Sequence, residues 1–65
     1  MKVTVKQARV GAGLTQEEMA KRLHVSTPTY GAWERNPGRM RYSIMCQVAA
    51  ITGIEVSDLN MEASG

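Results

Sequence analysis

Apolar side chains recur along this chain at helical spacings, and capping residues and glycines interrupt them at short intervals. Thr4 and Gln7 form a capping-box pattern, in which the hydroxyl takes an early amide hydrogen and the Gln side chain reaches back. The first helix is predicted from there to about Ala12, with Val5 and Ala8 inward and Gly13 as its stop. Thr15 and Glu18 repeat the box ahead of QEEMAKRL, whose Met19, Ala20 and Leu23 share one stripe. Glu17 and Glu18 in its first turn and Lys21 and Arg22 in its last complement the helix dipole. Ser26 caps a third helix, with Pro28 in the first turn, where a missing amide hydrogen costs little. Tyr30 and Trp33, three apart, give that helix its inward face, and Asn36-Pro37-Gly38 ends it near Arg35. A fourth helix over about 42–52 buries Met45, Val48 and Ala49 and stops at Gly53. A short fifth over about 56–61 docks Val56 and Leu59.

The expected fold is all-α, a compact bundle of five short helices forming one domain over residues 1–65, with 62–65 frayed. Only MKVTV, alternating over five residues, also fits an edge strand. With 65 residues, 43% of them apolar, the chain is too apolar for disorder and too short for a separate ligand or catalytic domain. Neither a signal peptide nor the roughly 20-residue apolar run of a membrane span is expected. The single cysteine, Cys46, makes no internal disulfide, which favours a reducing, cytoplasmic setting. With one histidine beside it, a closed zinc site within one chain is excluded, and no cofactor or small-molecule ligand is expected. An enzyme reading lacks parts: no Cys–His pairing at a workable spacing, no phosphate-cradling glycine loop, no carboxylate pair beside a base. Asp58 and Glu62 read as a solvated face, and Cys46 as a small buried hydrophobe.

Charge adds a direction to this picture. Residues 1–42 carry all eight Lys and Arg against three acids, a net +5, whereas residues 43–65 carry three acids only, a net −3. A basic front and an acidic back suit a polyanion partner on one side of the fold. Residues 15–34 supply a candidate surface for it. Two helices crossing around a short turn need a small residue at their closest approach, an unusual backbone angle in the turn and a large apolar wedge. Ala20, His24 and Tyr30 fall where those demands arise. This is a helix-turn-helix pattern, whose second helix fits the major groove of DNA.

The stretch GLTQEEMAKRLHVSTPTYGAWE (residues 13–34) closely resembles the phage-repressor/Cro-type helix-turn-helix family, also called xenobiotic-response-element or lambda-repressor-like. The likeness runs over about 5–59, and its most specific pieces are GLTQEE-A, the VS opening the third helix, the WE closing it and the late TGI-V-DL. It implies a bundle of four or five helices that binds double-stranded operator DNA, usually as a homodimer. Gln16 matches the position whose side chain and amide hold a DNA phosphate, and a helix N-terminus favours an anion on its own account. Thr27, Pro28, Gly31 and Ala32 match the outward positions that face base edges. Their lexicon is thin, because none is an Arg, Lys, Asn or Gln, so part of any specificity falls to DNA shape. Thr29 has a hydroxyl that serves either Ser26 or the helix backbone instead of DNA. Arg35, Arg39 and Arg41 flank the Pro-Gly turn where the family meets the sugar-phosphate backbone, with Lys6 on the edge of the same face. The loop RNPGRMR departs from the family's usual Asn-Gly or Arg-Gly, which leaves open which arginine reaches DNA. Arg9 and Glu34 match a structural ion pair between the first and third helices, and Trp33 matches a core wedge. His24 stands where the family favours Gly for its positive φ.

Three readings follow: a free-standing repressor or Cro-like transcription regulator of a prophage or mobile element, the DNA-binding antitoxin of a toxin–antitoxin pair, and a protein-interaction module that kept the fold without DNA readout. The short tail after Leu59 favours the first, and the thin base-reading set favours the last. Salt separates the two DNA-binding readings from the last, since a DNA binder loses affinity steeply as salt rises.

Overall fold

Both predicted capping boxes form in the computed structural model, which describes residues 2–62. Thr4 Oγ1 accepts the Gln7 amide at 3.0 Å while Gln7 Oε1 accepts the Thr4 amide at 2.8 Å, and α1 runs Val5–Gly11. Thr15 and Glu18 make the same exchange at 3.1 and 2.9 Å to open α2, Gln16–Leu23. Ser26 caps α3, Thr27–Arg35, with Pro28 in its first turn. A single 3-10 turn, Pro37–Arg39, leads to α4, Tyr42–Thr52, which ends at Gly53 with φ 75°.

The fifth helix does not form. Val56–Asp58 makes one 3-10 turn, and the chain then extends as β2, Leu59–Asn60, in parallel register with β1, Val3–Thr4. Val56, Ser57 and Asp58 are weak helix formers, and Leu59 buries itself to 1% exposure by pairing with Val3 instead of continuing a helix. The strand alternative at MKVTV is thus realised over two residues, and the fold is mostly helical with one short strand pair. Of the segment expected to fray, Glu62 donates its amide to Asn60 Oδ1 at 3.0 Å, and residues 63–65 lie outside the described residues.

The core gathers Val5 and Ala8 of α1, Met19, Ala20 and Leu23 of α2, Tyr30 of α3 and Val48 of α4. Met45 and Ala49 are only half-buried at its margin, Val56 is half-buried as well, and Met40 from the loop is buried in it. Tyr30, wholly buried, is the wedge between α2 and α3; Trp33 is half-buried and packs on the side of the core. No helix among the described residues is long and apolar enough to cross a membrane.

Candidate nucleic-acid interface

The angle between α2 and α3 is set in the turn. His24 adopts φ 59° and ψ 41°, and its amide donates to the Ala20 and Lys21 carbonyls. The next amide, of Val25, returns to Ala20 at 3.0 Å, so the last carbonyls of α2 are satisfied while the chain reverses. Ala20, 1% exposed, lets the helices approach, and Tyr30 fills the angle they leave. The leading edge of α3 consequently faces outward: Ser26, Pro28 and Thr29 are exposed and Thr27 is half-buried. Ser26 Oγ accepts the Thr29 amide at 3.3 Å and donates to Thr29 Oγ1 at 2.8 Å, so the Thr29 hydroxyl serves the cap.

Toward the other end of α3 lies a buried polar relay. Arg9 Nε donates to Glu34 Oε2 at 2.6 Å, Nη2 reaches Oε1 at 3.5 Å, and Nη1 takes the Leu14 carbonyl at 2.7 Å. Gln16 Nε2 donates to Glu34 Oε1 at 2.9 Å. A carboxylate only accepts, so this bond fixes which end of the Gln16 amide faces inward. Arg9, Glu34 and Gln16 thereby tie α1, α3 and the start of α2 together. Burial works to raise the Glu34 carboxyl, but hydrogen bonds from Arg9 and Gln16, the nearby Tyr30 hydroxyl and the Arg9 charge outweigh it and hold the pKa below the usual carboxylate range. The Tyr30 phenol is pushed up, by burial first and the Glu34 carboxylate second. The Arg9 guanidinium is raised chiefly by its bond to Glu34.

Lys6, Arg35, Arg39 and Arg41 are all exposed, and none joins an ion pair among the described residues. Arg39 closes the 3-10 turn; Arg41 is the N-cap of α4 and gives its first amides no side-chain cap, leaving another electropositive helix end. Sequence reasoning passed over that end, although an Arg in place of Ser, Thr or Asp before α4 is its signal.

Two of the base-facing positions are less open than expected. Gly31 is buried, because the side chains of Gln16 and Arg35 lie across it, and Ala32 is half-buried. Gly31 therefore receives neighbouring side chains rather than presenting a surface. Gln16 is half-buried, not a fully solvated residue at the head of its helix. Among the described residues, no group of three or more His, Cys, Asp or Glu is placed to hold a metal ion.

A family model described as helix-turn-helix, of the Cro/C1 type, matches residues 5–59. The chain belongs to that family, a family of DNA-binding regulatory domains. Neither a curated protein nor a solved structure matches it in the corresponding comparisons.

Proposed function

We propose that this member of the family is a sequence-specific transcription regulator of the repressor or Cro type that docks α3 in the major groove of operator DNA. The observation that carries the reading is the exposed leading edge of α3, with Ser26, Pro28 and Thr29 open, on a chain whose exposed Arg35, Arg39 and Arg41 join no ion pair among the described residues. Backbone phosphates bordering the groove are held by Gln16 with the first amides of α2 and by Arg35, Arg39 and Arg41, with Lys6 at the margin. Thr27, Pro28 and Ala32 meet base edges, where a hydroxyl and small apolar groups suit thymine methyls. Arg9 and Glu34 stay in the structural relay and do not touch DNA.

A homodimer follows from reach. A nine-residue α3 is about 13 Å long, which covers roughly four base pairs, too few to define one promoter alone. Two copies on a two-fold axis read half-sites about one helical turn apart. Occupying a promoter in the cytoplasm then blocks polymerase.

Selection from a random pool of double-stranded DNA tests this reading. The expected yield is a palindromic motif with that spacing and an affinity that falls steeply with salt. Gln16→Ala is expected to weaken binding to every sequence alike, by about tenfold or less, whereas Thr27→Ala shifts the preferred base at one position. Recovery of no motif, with binding indifferent to salt, would sink the proposal in favour of a protein-interaction role.

A further inference from the structure

Gly31 lies in the middle of the helix read as entering the groove, yet its surface is covered. A Cβ placed on it would meet Arg35 Nη1 at 3.7 Å and both Gln16 Nε2 and Oε1 at 3.9 Å. One of these side chains comes from α3 itself and the other from the start of α2, so two elements deliver hydrogen-bond donors to a single backbone position. Arg35 gets there by leaning back along its own helix toward the N-terminus, the direction long helical side chains favour. Its position is four residues on, which puts its guanidinium directly over Gly31. Any longer side chain at position 31 would occupy that path. Gln16 is held in place from below by Glu34, and Arg9 neutralises the carboxylate that would otherwise repel an anion there. Arg35 has no ion-pair partner among the described residues, so its charge is unspent.

We infer that Gly31 is a positioning residue, present so that Arg35 of α3 and Gln16 of α2 close on one and the same backbone phosphate. The ligand is a single phosphodiester group, whose two free oxygens accept from the planar guanidinium and from the second N–H of the Gln16 amide. The inference rests on the DNA-binding reading above and adds that two contacts, otherwise independent, form one clamp.

The test uses the full chain and a duplex recovered from the random-pool selection. Arg35→Ala is expected to weaken binding about tenfold. Gln16→Ala should weaken it several-fold, and the double variant should bind within about twofold of Arg35→Ala alone, because the two groups share one phosphate. Gly31→Leu is expected to match the double variant in affinity while its thermal midpoint stays at or above that of the unsubstituted chain, leucine being the better helix former. Adding Arg35→Ala to Gly31→Leu should then change nothing. Replacing phosphates singly by neutral methylphosphonates should reveal one position at which both Arg35→Ala and Gln16→Ala lose their effect. Losses that multiply in the double variant, or two separate sensitive phosphates, overturn the shared clamp. A changed base preference on Arg35→Ala, in place of a uniform loss, makes Arg35 a base reader and overturns it as well. Should Gly31→Leu melt early, the cycle between Arg35 and Gln16 still decides. No binding of any duplex by the unsubstituted chain, even at low salt, would instead remove the DNA-binding reading itself.

Discussion

His24 holds the turn between α2 and α3 at φ 59°, a left-handed conformation that costs a side chain with a Cβ about 1–2 kcal/mol. Glycine relieves that cost but gives back about 0.5–1 kcal/mol through its freer unfolded chain. His24→Gly is therefore expected to stabilise the fold by roughly 0.5 kcal/mol, or about 2–4 °C in Tm by circular dichroism. A lower Tm would contradict this account of the turn. The Arg9–Glu34 pair is a larger matter. Both residues are buried, and Arg9→Ala leaves a carboxylate under the protein surface, at a cost of about 3–5 kcal/mol. For a chain of this length, with roughly 3–10 kcal/mol in total, urea titration should show it close to unfolded. The same pair governs acid stability. The folded pKa of Glu34 is depressed, so its contribution is complete above the unfolded carboxyl value of about 4.3 and is lost as pH falls through the folded one. Tm should decline below about pH 4.5, and Glu34→Gln, less stable at neutral pH, should show a shallower decline. The strained turn was legible from residue types at matched spacings, and the ion pair from the family resemblance. The burial of Gly31 was not, since its cover arrives from Gln16, fifteen positions earlier, and only folding brings that side chain across it.

Among the elements, local chemistry decided what the sequence made readable. Each side-chain cap closes within four residues, so Thr4, Thr15 and Ser26 marked the starts of α1, α2 and α3 without reference to the rest of the chain. Thr15→Ala should cost about 1 kcal/mol by urea titration, by stripping the Glu18 amide of its acceptor at the head of α2. A change within error would mean that another group takes over the cap. The segment after α4 misled for the opposite reason. Val56 and Leu59 look alike as the inner face of a short helix or as an extended edge, and what settles the matter is Val3, at the far end of the sequence. Apolar spacing over six residues does not distinguish these outcomes when the partner strand is distant.

Across the whole molecule, electrostatics and dimensions set the terms of binding. The acids and bases separate along the chain, and four cations on α1, α3, the 3-10 turn and the α4 cap stand without ion pairs among the described residues. Each that meets a phosphate releases a counterion, so Arg39→Ala and Arg41→Ala should each reduce the slope of log affinity against log salt by about 0.9. An unchanged slope would take that arginine off the DNA. The chain measures 28 × 22 × 21 Å, similar in span to a single turn of duplex, which is about 34 Å. Its one tryptophan, Trp33, is half-buried on α3 and only two residues from Arg35. All indole fluorescence from this protein therefore originates on the helix proposed to enter the groove. Its emission wavelength and its quenching by iodide become a built-in, label-free gauge of how that helix seats on the core, unaffected by any dye or tag.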